Sequence, residues 1–169
     1  GEHRHFLRRI ETSGRHLLAV VNDLLNFSKL EAGKMNLVFS EIDVGKIFED
    51  LSHTMALLAE DKGVKLRFPE STADVSLVAD ALKVTQVLVN LIGNAIKFTA
   101  EGGDITIGLE PVDDEGQRMY KFSVKDTGIG IPPEQCELVF ESFRQVDGSH
   151  TRAHQGTGLG LAITKQLVE

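Results

Sequence analysis

The sequence predicts an α+β fold: a two-layer α/β sandwich, with a mixed sheet packed on helices, preceded by a long N-terminal helix. Three observations predict it. An unbroken helical seam occupies the first thirty positions. Behind it, short alternating strands interleave with amphipathic helices but lack the regular period of a βαβ repeat. The length of 169 residues suits one compact domain with an appendage and leaves little room for two full domains.

In the N-terminal segment Phe6, Ile10, Ser13, Leu17, Val20, Leu24 and Phe27 recur at alternating spacings of four and three. Leu7, Gly14, Leu18, Val21, Leu25 and Ser28 form a second stripe beside them. The combined face is wider than a two-stranded coiled coil needs and suits a four-helix bundle. A helix from Phe6 to Ala32 would be roughly 40 Å long, with Gly33 as its C-cap and Lys34 favourably placed for the dipole. Packing on the protein's own core is the alternative for this stripe; its length and width favour packing between molecules.

A strand is expected at Asn36–Phe39, then a helix capped by Asp43 that buries Val44, Ile47, Phe48, Leu51, Met55 and Leu58 and stops at Gly63. Val64–Phe68 and Val75–Val78 read as short strands, and Asp80 caps a longer helix running to Phe98. Ile105–Leu109 and Tyr120–Lys125 read as an antiparallel pair joined by a loop from Pro111 to Arg118. A glycine-rich loop follows, then a short helix opened by Pro132 and Pro133, a polar stretch from Arg144 to Gln155, and a last helix from Gly158.

Composition narrows the function. The chain is 41% apolar and 25% charged, and no apolar run approaches the ~20 residues of a membrane span. With 18 basic against 25 acidic residues the net charge is −7, so no general electrostatic attraction draws it to nucleic acid or anionic lipid. Bound phosphate must be held locally. The lone Cys136 cannot form an intramolecular disulfide, and the six histidines show no zinc spacing, as expected for a reducing compartment. Gly1 in place of Met suggests a piece of a longer chain.

Two glycine clusters carry the chemistry: Asp126-Thr127-Gly128-Ile129-Gly130-Ile131 and Gly156-Thr157-Gly158-Leu159-Gly160-Leu161. The second runs straight into an apolar helix, placing its backbone N–H groups at a helix N-terminus, where phosphate oxygens are favoured. It lacks the preceding strand of a dinucleotide-binding turn, and no Walker-type lysine follows either loop. At the end of a strand, Asp126 can accept a hydrogen bond from an exocyclic amine while Gly128 and Gly130 admit a flat ring. Standing alone, that loop would read as a tight turn with a capping aspartate. On the helix after Asp80, however, Asn90 and Asn94 are four apart and Lys97 follows three later, one polar face on an otherwise apolar helix. Such asparagines are often satisfied core amides; beside two glycine loops they read as neutral ligands for magnesium bound to phosphate, with Lys97 offsetting further charge.

These segments, taken in order, resemble the ATP-binding catalytic domain of sensor histidine kinases, within the ATPase superfamily that includes the Hsp90 chaperones and type II topoisomerases. Gln86 to Thr99 is similar to its N box, Asp126 to Ile131 to its first glycine box, Phe140-Glu141-Ser142-Phe143 to its F box, and Gly156 to Leu161 to its second glycine box. Leu24 to Lys34 resembles the end of the second helix of the family's dimerisation and phosphotransfer hairpin. The resemblance implies a Bergerat-type fold, with residues 1–34 as that helix and 35–169 as the ATP-binding domain lacking its C-terminal hairpin.

It further implies that Asp126 reads the adenine amine, Asn94 ligates Mg2+, and Asn90 and Lys97 contact the phosphates as the catalytic pair. Gly128, Gly130, Ile131 and Phe140 complete the nucleotide site with Gly156, Thr157, Gly158, Leu159, Gly160 and Leu161, under a lid formed by Glu141 to Gln155. Implied partners are ATP and ADP, the phosphoacceptor helix of the parent kinase, a response regulator receiver domain and a second copy through the N-terminal helix; the implied location is cytoplasmic, on a parent that can be anchored to the inner membrane. In the chaperone and topoisomerase branches the Asn90 position resembles a glutamate that activates water, which an amide cannot do. Two departures stand out. None of the six histidines has the acidic-Arg-Thr-Pro context of a phosphoacceptor, so the chain by itself is not expected to autophosphorylate. Gln155 stands where many members have another glycine.

Overall fold

The computed structural model describes residues 2–70, 72, 75–144 and 157–169, and divides into two compact units. One comprises residues Leu37–Pro133; the other combines Gly1–Asn36 with Glu134–Glu169. The expected α+β architecture, a mixed sheet packed on helices, is present.

The larger unit contains β1 (Ser40–Asp43), α2 (Val44–Lys62), β2 (Lys65–Arg67), β3 (Ser76–Ala79), α3 (Ala81–Phe98), β4 (Asp104–Asp114) and β5 (Gln117–Asp126); α1 (Glu2–Glu31) belongs to the other unit. β1 and β3 form an antiparallel pair, Ser40 opposite Ala79 and Asp43 opposite Ser76. A three-stranded mixed sheet runs β2-β4-β5, parallel between β2 and β4 and antiparallel between β4 and β5. The core joins the apolar stripes of both helices, including Val44, Phe48, Leu51 and Met55 from α2 and Leu88, Ile92 and Ile96 from α3, to Ile105 and Ile107 of β4. Phe48 anchors it, its ring 5.7 Å from that of Phe68 and 6.0 Å from that of Phe122. Burying each such side chain contributes ~1.5–3 kcal/mol.

Both helix starts follow from their caps. Asp43 accepts the Lys46 N–H at 3.2 Å, and Asp80 accepts the Lys83 N–H at 3.1 Å. At the end of α2, Gly63 adopts φ 69° and donates to Glu60, while the Val64 N–H bonds to the Ala59 carbonyl. This Schellman closure folds the chain back over Ala59. Ala59 is therefore buried and Leu58, expected in the core, is half exposed.

Two strand expectations shift. The strand expected at Asn36–Phe39 begins at Ser40 instead, because the Val38 N–H is taken by the Asp80 carboxylate at 2.9 Å and not by a neighbouring strand. The loop expected from Pro111 to Arg118 is mostly strand: β4 and β5 continue to Asp114 opposite Gln117, closed by Glu115 and Gly116 at φ 51° and 82°. Positive φ at both central residues marks a type I′ hairpin turn. Pro111 is tolerated because β2 pairs only with Asp104 to Thr106, so beyond that point one side of β4 carries no ladder bonds for proline to break.

The second unit contains α1 (Glu2–Glu31), two 3-10 turns (Pro133–Gln135, whose first residue lies in the larger unit, and Leu138–Phe140) and α4 (Gly160–Val168). Gly33 at φ 61° donates to Leu30, and Lys34 to Lys29, so the expected C-cap is present as a second Schellman closure. The helix packs against α4, and Phe27 meets Phe143 edge-on with centroids 6.3 Å apart. Phe6, Leu7, Ile10, Leu17, Leu18, Leu24 and Leu25 nevertheless remain exposed. The short helix expected after Pro132 is a single 3-10 turn, and the last helix starts at Gly160, not Gly158, whose φ of 69° is left-handed.

Asp80 ties the β1 approach to the start of α3. The Val38 N–H lowers its carboxyl pKa below the usual 3.8, with further help from Lys83 and Leu82 amides, while desolvation partly opposes them. A depressed folded-state pKa contributes stability that is fully present above pH 3.8 and is lost as pH falls through the lower folded value. Asp80→Asn, which can still cap the helix, should therefore lose less stability on acidification than the unaltered chain, as read from urea midpoints across the acid range.

Candidate nucleotide-binding site

Helix α3 turns its stripe of Leu88, Ile92, Ala95 and Ile96 into the core. At 100° per residue Asn90, Asn94 and Lys97 fall on the opposite side of the helix. All three are half-buried, so the structure brings them together on one face, though not into the core that supplies the rest of the helix. Desolvation by burial lowers the Lys97 pKa below 10.5, and its ammonium lies 4.8 Å from the Phe98 ring centroid. A desolvated cation beside two amides suits a multiply charged anion, since phosphate oxygens would restore the lost solvation.

The first glycine loop is tied to the end of that helix. Asp126, exposed, is the last residue of β5, paired with Ile105. Its Oδ1 accepts the Gly128 N–H at 2.8 Å, which fixes the side chain in an Asx turn; the other oxygen remains for a ligand. Beyond it, the Ile129 N–H donates to the Phe98 carbonyl at 3.3 Å. A Cβ on Gly128 would lie 2.6 Å from that carbonyl oxygen, so no larger residue can take this path. Gly130 adopts φ 69°, and Ile129 and Ile131 stand exposed on the loop. The Phe98 carbonyl is a determinant missed from the sequence, because a backbone acceptor carries no residue signature; a glycine two places after the end of β5 was the available clue.

In the other unit the second glycine loop has its own support. Gly156 and most of the expected lid, residues 145–156, lie outside the described residues. The Thr157 hydroxyl accepts the Leu159 N–H at 3.2 Å. Gly158 accepts the Phe143 N–H at 3.0 Å, and a Cβ there would meet the Phe143 carbonyl carbon at 3.0 Å. Leu159 is fully buried, while Gly160 and Leu161, half-buried, form the first turn of α4, whose N-cap makes no side-chain hydrogen bond. Phe140, partly exposed, closes the turn Leu138–Phe140, which packs against α4. Phe143, at φ 64°, is the unexpected participant: a left-handed aromatic residue that fastens the loop to the F-box segment.

These are the parts of a nucleotide fold in chain order, and the family model described as histidine kinase-, DNA gyrase B-, and HSP90-like ATPase matches residues 79–169. The chain belongs to this ATPase family. Among similar proteins, the non-motile and phage-resistance protein of Caulobacter vibrioides is 42% identical over 172 residues, covering 99% of this chain and 20% of that protein. The signal transduction histidine-protein kinase BarA of Escherichia coli K12 is 41% identical, covering 98% and 18%. The chain thus spans about a fifth of the length of these curated relatives. Among solved structures, full-length ShkA in complex with AMPPNP is similar at 34% identity and TM-score 0.79, covering 99% of this chain and 34% of that one. Histidine kinase ThkA in complex with response regulator protein TrrA is similar at 25% identity and TM-score 0.69, covering 97% and 43%. The domain is of the sensor histidine kinase type within this ATPase family.

The chemistry of the residues suits the nucleotide and metal that the family implies. An exposed carboxylate at a glycine cradle suits a purine amine, and the Asn94 amide is a neutral oxygen donor acceptable to magnesium. Among the described residues no cluster of three or more histidine, cysteine or carboxylate side chains offers a different metal site. Because Gly128 abuts the Phe98 carbonyl, Gly128→Ala should destabilise the larger unit by about 1–3 kcal/mol. Denaturant unfolding checks this, and an unchanged midpoint would show that the loop can shift at no cost.

Proposed function

We propose that this chain is the ATP-binding catalytic core of a two-component sensor kinase, with residues 35–169 as the catalytic domain and 1–34 as the second helix of the dimerisation and phosphotransfer hairpin. It transfers the γ-phosphoryl of ATP to a histidine imidazole. The bond from the γ-phosphorus to the β–γ bridging oxygen breaks, a P–N bond forms, and ADP leaves. The complex of the similar ShkA with AMPPNP supports nucleotide binding, and the complex of the similar ThkA with response regulator protein TrrA supports a response regulator as the partner.

The observation that carries the reading is the pair Asn90 and Asn94 on one face of α3, with no carboxylate at either position. Asn94 would hold Mg2+, which when bound neutralises charge on the phosphates. Asn90 orients and donates to phosphate oxygens but cannot deprotonate water. That favours keeping the γ-phosphoryl for an imidazole over hydrolysing it. Lys97 adds positive charge, Asp126 accepts from the adenine amine, and Gly128, Gly130 and Ile131 line the base. The α4 N-terminus, with Thr157, Gly158, Leu159, Gly160 and Leu161, offers backbone N–H groups to the phosphates, and Phe140 supports that loop. Cytoplasmic placement goes with the reading, since ATP is the substrate; no described helix is long and apolar enough to cross a membrane.

Calorimetry tests the nucleotide assignment: Asp126→Ala should weaken ATP and ADP binding by about 1–3 kcal/mol, roughly five- to 150-fold. Unchanged affinity would remove Asp126 from the site. The exposed stripe of α1 accounts for the proposed self-association. Leu17→Glu with Leu24→Glu places charges in that stripe and should lower the mass seen by light scattering while ATP binding persists. An unchanged oligomer would put the contact elsewhere.

A further inference from the structure

Asp126 can select an amine only if its carboxylate is held in one place, and what holds it runs from the next residue of the first glycine box to segments well outside it. Thr127 extends the β4–β5 ladder past its last residue pair. Its N–H donates to the Asp104 carbonyl at 3.1 Å, and its hydroxyl accepts the Asp104 N–H at 3.0 Å. Asp104 is steadied in turn from β2, where the Arg67 guanidinium meets its carboxylate at 2.6 Å.

The space beneath this clamp is full. A Cβ on Gly103 would overlap the Thr99 methyl and lie 2.9 Å from the Thr127 hydroxyl. Gly103 does not have a left-handed φ, so what the glycine supplies is room. Thr99, 1% exposed, ends α3 with its N–H bonded to Ala95. Asp126 is consequently gripped on two sides. Before the turn stands the ladder pair with Ile105; after it, the Thr127–Asp104 clamp and the Gly128 seat on Phe98 leave the loop no freedom to swing.

We infer that Thr127 is a positioning residue for base recognition: its hydroxyl, given room by Gly103, fixes the direction in which Asp126 presents its carboxylate to the exocyclic amine of the purine. The inference rests on the reading of Asp126 given above. Thr127→Val keeps the branched shape and removes the acceptor, whereas Thr127→Ser keeps the hydroxyl.

Calorimetric ATP titrations of the 169-residue chain decide the matter. Thr127→Val should bind roughly two- to fivefold more weakly and Thr127→Ser like the unaltered chain, with Gly103→Ala following the valine variant. In an Asp126→Ala background, Thr127→Val should cause no further loss, because the hydroxyl acts only through that carboxylate. A wild-type affinity for Thr127→Val, or an equal loss in both backgrounds, overturns the inference and leaves the Asp126 assignment standing. Full affinity in Asp126→Ala alone overturns both. Should the valine variant not fold, hydrogen exchange at the Asp104 amide of the unaltered chain decides: slowing on ATP binding supports the clamp, and an unchanged rate overturns it.

Discussion

Everything in the larger unit is organised by one helix that must satisfy two demands at once. The side of α3 bearing Leu88, Ile92, Ala95 and Ile96 fills the core against α2 and β4, and the opposite side carries Asn90, Asn94 and Lys97. Burial of the first stripe fixes the rotation of the helix about its axis, so the polar groups cannot turn away from their common face. The caps complete the constraint. Asp80 holds the first turn and the segment before β1 together, while the Phe98 carbonyl at the last turn receives Ile129.

That last contact links the two chemistries of the site. The side chains proposed for the metal and, together with the second glycine loop, for the phosphates lie on α3, and the residue proposed for the base lies at the end of β5, far along the chain. Their relation is set by backbone: the loop after Asp126 sits so close to Phe98 that only glycine is admitted at position 128. A carbonyl at a helix C-terminus is one of the orphan acceptors that a fold must satisfy, and here the amide of the first glycine box satisfies it. Stability of the helix end and placement of the loop after Asp126 are therefore the same hydrogen-bonding problem.

The smaller unit follows a comparable logic with different parts. Gly158 is fastened to Phe143, and Leu159 is buried directly before α4 begins. The loop backbone thus reaches the helix N-terminus already anchored. In the same unit α1 covers α4 with part of its surface and leaves the rest of its apolar face open.

The sequence by itself determined the fold class, the ends of α2 and α3, the two glycine loops and the polar face of α3, because these follow from local rules: helical periodicity, aspartate caps, left-handed glycines and residue chemistry. Asp43, Asp80, Gly33 and Gly63 each act where a short-range reading places them. Only the tertiary structure decided that Val38 serves Asp80 instead of a strand, that Pro111 lies within a strand with one unladdered side, and that Ala59 displaces Leu58 from the core. The support of Asp126 by Phe98 and Thr127 belongs with these. Each depends on a backbone donor or acceptor from a distant segment, and every residue type except proline carries the same such groups, so nothing in the letters of the sequence marks which of them will meet.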